Sequence, residues 1–306
     1  MAECSRSLNE DTHRIKQPVI PEWPLRGTTI LGKLWLSLPN SLRLSAYRLL
    51  RFIGAKIWPN RMPIGGYGKQ RLPFNLYCKF GRRIALPEVL ATCFVYDNTT
   101  IPVPRILDVV YEGRDLFVLM TRLPGVPVLN VARDLDEAAW VRLEVDLSDW
   151  LRQLRALAPP SDVVGSYLQT STLQRFIDVN RPIGPWSNIA AFHQYMVTLC
   201  PEDQGNEDYQ VFRRAARCRM FDRDHRLCFT HGDLAIHNVL MENGRLSGML
   251  DFENSGWFPE YWELPTALYC KLENRWTKAI RNVFAGLYDE EMEVLDIFAE
   301  ANTGNY

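Results

Sequence analysis

A break at Pro124-Gly125-Val126-Pro127 separates two stretches of different hydrophobic period, and this restricts the available folds more than any other feature of the chain. Before it, short segments read as strands: Arg61 to Ile64, Pro73 to Phe80, Arg105 to Tyr111 and Leu116 to Thr121. Glu112-Gly113 joins the last two as a hairpin. One helix interrupts the strands, Leu86 to Tyr96, with Glu88 in its first turn. After the break the period is helical. Asp134 to Leu157 carries Trp140, Leu143, Leu147, Trp150, Leu151 and Leu154 at helical spacing and stops at Pro159-Pro160. Ser187 to Cys200 and Glu207 to Phe221 are further helices. Leu227 to Thr230 is a short apolar run ahead of a polar turn. Val239 to Met241 and Leu246 to Leu250 form a small hairpin through Asn243-Gly244. The chain ends in an acidic helix containing Asp289, Glu290, Glu291 and Glu293. Strands with one helix, a hinge, then mostly helices indicate an α+β protein of two lobes.

The start of the chain is expected to differ from both. Residues 1–40 contain Pro18, Pro21, Pro24 and Pro39 and read as an irregular arm. Asn40 is expected to cap a helix running to about Trp58, with Leu42, Ala46, Leu49, Leu50, Ile53 and Ile57 on the face that packs against its own domain. Arg43, Arg48, Arg51 and Lys56 make this helix basic, so an anionic membrane is the alternative surface for it. The expected division is therefore 1–58 for arm and basic helix, 59–122 for the sheet lobe and 123–306 for the helical lobe.

Composition excludes several classes. With 47% apolar and 23% charged residues, chain-wide disorder and fibrous designs are ruled out. No apolar run approaches the roughly 20 residues that cross a bilayer. Met1-Ala-Glu-Cys-Ser-Arg lacks a secretory profile. The seven cysteines, Cys4, Cys78, Cys93, Cys200, Cys218, Cys228 and Cys270, include no Cys-x-x-Cys pair. That argues against a disulfide framework and a structural zinc, and for a reducing, cytoplasmic setting. Residues 1–87 hold 15 Lys/Arg against 4 Asp/Glu, and residues 88–306 hold 20 against 32. A basic front and an acidic back suit either separate partners or two faces attracted across one interface. The basic part has no nucleic-acid motif, so no nucleic-acid partner is expected.

The chemistry concentrates in Phe229-Thr230-His231-Gly232-Asp233-Leu234-Ala235-Ile236-His237-Asn238, followed by Leu250-Asp251-Phe252-Glu253. A carboxylate and an amide five residues apart leave a strand in one loop, and a second carboxylate ends the hairpin behind them. Such oxygen donors suit a hard cation such as Mg²⁺, which keeps water and phosphate in its remaining positions. Phosphoryl transfer needs that metal, a hydroxyl held in line and an acceptor for its proton.

His-Gly-Asp-x-x-x-x-Asn with the later Asp-Phe-Glu resembles the aminoglycoside phosphotransferase and choline kinase superfamily, which has a two-lobed protein-kinase-like fold. Gly256-Trp257-Phe258-Pro259-Glu260-Tyr261-Trp262-Glu263 and Thr99-Thr100-Ile101-Pro102-Val103-Pro104 resemble its fungal branch. The resemblance implies a small antiparallel-sheet N-lobe with one helix and a larger, mainly helical C-lobe. It implies an ATP-dependent kinase, with GTP as the alternative nucleotide, that phosphorylates a hydroxyl of a small molecule. By this likeness Asp233 is the catalytic base, and Asn238 and Asp251 are the Mg²⁺ ligands. His231 joins Asp233 as a catalytic-site residue that braces the loop. Leu76-Tyr77-Cys78-Lys79-Phe80 resembles the strand supplying the nucleotide lysine, and Glu88 matches its partner. Period-two alternation independently puts Lys79 opposite Cys78 and Phe80, free to face a cleft. Met120 and Arg122 are the candidates for the adenine side. Gly65, Gly66 and Gly68 read either as a phosphate-covering loop or as an ordinary turn. Trp257 and Phe258 suit an acceptor pocket or plain core packing. Pro259 suits the first turn of a helix, with Glu260 and Glu263 favourable to its dipole.

Two further functions stay open at this stage: a catalytically weak nucleotide-binding scaffold and, ranked below it, a protein kinase. The acidic second lobe suggests a cationic acceptor.

Overall fold

Two segments of opposite character meet at the Pro124–Pro127 break in the computed structural model, which describes residues 29–59, 68–81, 84–113, 115–178, 180–200, 207–269 and 273–302. Ahead of the break lie α1 (Ile30–Leu36), α2 (Asn40–Ile57), β1 (Lys69–Leu72), β2 (Leu76–Gly81), α3 (Leu86–Asn98), β3 (Ile106–Glu112) and β4 (Asp115–Thr121). The strands form one antiparallel sheet in the order β1-β2-β4-β3. Its two faces are packed separately. Leu72, Cys78, Val110, Phe117 and Leu119 meet Leu44 and Tyr47 of α2, while Ile106, Leu116, Val118 and Met120 meet Val89 and Cys93 of α3. Alternation along β2 puts Cys78 on the α2 side and Tyr77 on the α3 side, with Lys79 in register opposite Val118.

Past the break come β5 (Val126–Pro127), α4 (Val128–Val131), α5 (Glu137–Arg155), β6 (Gly165–Ser166), α6 (Ile189–Thr198) and α7 (Glu207–Ala216). Then follow β7 (Leu227–Thr230), β8 (Val239–Glu242), β9 (Arg245–Met249), β10 (Gly256–Pro259), α8 (Glu263–Tyr269), α9 (Asn274–Phe284) and α10 (Asp289–Asn302). Two small sheets, β6-β10-β7 and β5-β8-β9, carry the loops that matter below. Asp136 caps α5 by accepting from the Ala139 N–H (2.7 Å), and the six expected apolar residues of that helix are all buried. The antiparallel sheet before the break and the mainly helical region after it agree with the expected two-lobed α+β class.

Several local expectations are corrected. The irregular arm contains a helix, α1; residues 1–28 lie outside the described residues, as does the Arg61–Ile64 strand. Pro39, not Asn40, occupies the cap position of α2, and the Asn40 side chain instead accepts from the Arg43 guanidinium (2.6 Å). That helix is also turned from its expected face: Arg43, Leu44, Tyr47 and Gly54 are buried, whereas Leu42, Leu49 and Ile57 are exposed. The cause is polar. Asp108 in β3 is 3% exposed, and it pairs with Arg43 and accepts from the Tyr47 hydroxyl (2.6 Å). Unpairing a buried charge costs several kcal/mol, more than burying one leucine returns. Pro73–Asn75 form a turn rather than the start of β2, and β1 precedes it. Pro259 ends a strand instead of opening a helix. The helix after Glu207 passes into a π turn over Arg217–Phe221. Within the acidic last helix, Glu291 of α10 is buried beside Arg223 (3.2 Å).

Candidate active site

The loop leaving β7 is fixed from behind by backbone hydrogen bonds. Glu263, at the start of α8, accepts from the His231 N–H (2.6 Å) and the Gly232 N–H (3.1 Å). Burial pushes the Glu263 carboxyl above its ordinary value, against the pull of these donors. His231 is fully buried. Its Nδ1 accepts from the Asp233 N–H (3.2 Å) and its Nε2 donates to the Leu250 carbonyl (2.9 Å). An amide only donates and a carbonyl only accepts, so this pattern requires the neutral tautomer protonated at Nε2. Gly232 has φ 76°, and a Cβ there would stand 2.4 Å from the Asn254 carbonyl oxygen. Only glycine fits. At the other end of the loop, the Asn238 amide donates to the Asp233 carbonyl (3.0 Å) and carboxylate (3.2 Å). This leaves Asn238 Oδ1 available as an oxygen donor.

Asp251 follows β9 in a left-handed conformation, φ 70° and ψ 65°, ahead of a single 3-10 turn at Phe252–Asn254. Two cations reach it from the sheet. The Lys79 ammonium of β2 lies 2.7 Å from Oδ1 and also pairs with Glu88 of α3; the Lys69 ammonium of β1 lies 2.6 Å from Oδ2. Burial lowers the Lys79 pKa, but Glu88 and Asp251 outweigh it and hold the group well above the usual lysine range. Burial likewise opposes the Asp251 charge, yet Lys79 and then Lys69 hold its carboxyl well below the usual aspartate range. The ion pair therefore persists across neutral pH.

These groups form the polar end of a cavity of about 410 Å³. Ile84, Val89, Ile106, Met120, Leu240 and Leu250 line its apolar part, and Lys69, Lys79, Glu88, Asn238 and Asp251 its charged part. An apolar slot ending in fixed charges suits a ligand with a flat ring and an anionic tail. Carboxylate oxygens of Glu88, Asp251 and Glu253 lie within 4.8 Å of one another. With Asn238 the donor set is all oxygen, which fits Mg²⁺ and not the thiolate–imidazole sets of zinc.

Of the residues singled out in the sequence, Lys79, Glu88, Met120, Arg122, Asn238 and Asp251 all line this cavity. Asp233 stands beside it through Asn238, and His231 lies behind the loop. Gly65 and Gly66 lie outside the described residues. Gly68 has φ 72° and its carbonyl accepts from the Phe80 N–H (2.6 Å), so it closes onto β2. Trp257 and Phe258 are 1% and 0% exposed and serve as core. Three contributors were not anticipated. Lys69 is paired with Lys79 across the β1-β2 hairpin, a register readable only once the Pro73–Asn75 turn is known. Glu263 clamps the loop 31 and 32 positions away. Arg175, whose guanidinium reaches Glu253 (2.5 Å), has no local signal at all.

A family model described as "Phosphotransferase enzyme family" matches residues 83–298. Among solved structures, the chain is similar to ADP-bound aminoglycoside phosphotransferase APH(2'')-Ib, with TM-score 0.54 and 13% identity, covering 84% of this chain and 86% of that one. The streptomycin–ATP ternary complex of APH(2'')-IIa gives TM-score 0.53 at 15% identity over 85% and 86%. A thermostable mutant of APH(4)-Ia with ADP and hygromycin B gives 0.53 at 14% over 76% and 80%. At these identities the likeness establishes the fold. No helix among the described residues is long and apolar enough to cross a membrane.

Proposed function

The chain belongs to the phosphotransferase enzyme family, and from that premise we propose that it is an ATP- and Mg²⁺-dependent kinase of a small-molecule hydroxyl. The observation carrying this reading is the convergence of Lys79, Asn238 and Asp251 at the charged end of one cavity, with Asp233 next to Asn238. The ring and sugar of ATP, or of GTP, occupy the apolar part beside Met120 and Arg122. Lys79, oriented by Glu88, takes phosphate oxygens. Asn238 and Asp251 hold Mg²⁺, which when bound neutralises charge on the phosphates. Asp233 accepts the proton of the acceptor hydroxyl as its oxygen attacks the γ-phosphorus and the bond to ADP breaks. His231 has no free nitrogen for proton transfer and keeps Asp233 in place.

On this reading residues 59–122 bind nucleotide, residues 123–306 supply the catalytic loop, metal ligands and acceptor site, and the protein works in a reducing cytoplasm. The two segments that resemble the fungal branch leave the acceptor unspecified. The acidity of the second lobe favours a cation, but Glu253 at the loop is already paired with Arg175, so acceptors of either charge belong in the first screen. The scaffold reading draws on the two lysines already occupying Asp251.

Thermal shift with Mg²⁺-ATP and Mg²⁺-GTP, joined to a phosphate-transfer screen, separates these readings. A shift of the native protein lost in Asp251→Ala, with transfer falling at least about a thousandfold in Asp233→Asn, supports the kinase. Binding without transfer to any acceptor would favour the scaffold. Full turnover by Asp233→Asn would remove Asp233 from its role.

A further inference from the structure

Helices α1 and α2 each carry exposed apolar side chains that nothing in the described structure covers. Leu31 is 78% exposed, Leu49 59% and Phe52 62%, and Ile30, Leu34 and Leu42 are exposed with them. Leu42 and Leu49 are seven residues apart and Phe52 is three further on, so on α2 they share one side. The opposite side of α2 is fixed to the sheet by the buried Arg43–Asp108–Tyr47 network and by Tyr47 stacked on Phe117 at 5.3 Å. The helix cannot roll to bury its leucines without breaking that network, so their exposure is built in. Helix α1 buries no residue at all; it is tied to α2 by the Trp35 indole N–H donating to the Tyr47 hydroxyl (2.5 Å). Seven residues are too few for a helix to persist in water unaided.

The charge around this surface selects the occupant. From Trp23 to Pro87 the chain has no Asp or Glu and 12 Lys/Arg. Within the two helices Arg43, Arg48 and Arg51 are committed to Asp108, Glu112 and the Phe80 ring. Lys33 and Lys56 are exposed, and Lys56 follows Leu49 by seven, on the apolar side, with its ammonium 5.6 Å from the centroid of the Phe52 ring. Exposed leucines and phenylalanine accompanied by ammonium groups, on helices that contain no Asp or Glu of their own, match a negatively charged lipid headgroup layer over an acyl boundary.

We propose that the outer face of α2, bearing Leu42, Leu49 and Phe52, docks on an anionic lipid membrane, leaving the sheet between it and the cavity on the α3 side. This surface is independent of the kinase reading. The full chain should sediment with vesicles of phosphatidylcholine and phosphatidylserine at least about tenfold more strongly than with phosphatidylcholine alone. A Leu49→Ser/Phe52→Ser variant should lose association with both, and Lys33→Glu/Lys56→Glu should lose the preference for phosphatidylserine. Unchanged thermal midpoints would show that both variants fold. Failure of the native chain to bind either vesicle overturns the proposal, as does binding untouched by the two variants. A dimer in light scattering that Leu49→Ser/Phe52→Ser dissociates, without vesicle binding, would assign the face to a second copy instead.

Discussion

The loop at Asp233 and the strand at Lys79 meet at one cavity, yet they are held by different physics. The loop is held by neutral backbone donors that point into the helical lobe: Glu263 takes two N–H groups, His231 bridges two backbone groups, and Gly232 lies against Asn254. None of these contacts is one that a ligand replaces. Lys79 is held by charge, between Glu88 and Asp251, with Lys69 on the same carboxylate. On the proposed reading, nucleotide and metal would compete for those partners directly. One side of the site is thus set before any ligand arrives, and the other is poised to exchange partners.

The largest expected effect of a single substitution tests the fixed side. Glu263→Ala leaves the His231 and Gly232 amides buried without an acceptor, which should cost about 3 kcal/mol in chemical denaturation. Glu263→Gln, retaining one acceptor, should cost less. A loss below about 1 kcal/mol would mean the loop holds itself.

Acid titration separates the two regions next. His193, buried in the helical lobe beside Tyr261 (2.7 Å), has its pKa lowered to about 3 from 6.5 by burial and by repulsion from His225. Below pH 6.5 the unfolded chain takes up this proton and the folded one does not. Stability should therefore fall with pH from about 6.5 toward 3, by up to about 1.4 kcal/mol per pH unit. Asp251 has a depressed pKa, so its contribution is present above the ordinary aspartate value and is lost only below it. His193→Gln should flatten the first window and leave the second. A slope unchanged by that substitution would place the acid sensitivity elsewhere.

The smallest effect concerns the exchangeable side. Lys69 is 47% exposed, so Lys69→Ala should change stability by less than about 1 kcal/mol, while altering the Mg²⁺ concentration needed for nucleotide binding because it frees one Asp251 oxygen. An unaltered Mg²⁺ midpoint in calorimetry would mean Lys69 and the metal do not compete.

Legibility in the sequence followed the kind of force involved. Helix α5 was readable because one-sided burial writes a 3.6-residue period into Trp140 through Leu154. Lys79 was readable through its alternation with Cys78 and Phe80. Helix α2 was misread, since its orientation depends on Asp108, 65 residues beyond Arg43, and a pattern confined to the helix contains no trace of that partner. The same holds for Arg175 with Glu253 and for Glu263 with the loop.

By itself the sequence determined the two-lobed class and brought Asp233, Asn238 and Asp251 within reach of one another, because local period and short spacing are properties of the chain. Tertiary structure alone decided which charges neutralise Asp251, which acceptor clamps the loop and which side of α2 faces outward. Those choices are made by ion pairs and hydrogen bonds between residues far apart in sequence, whose energy exists only once the chain has folded.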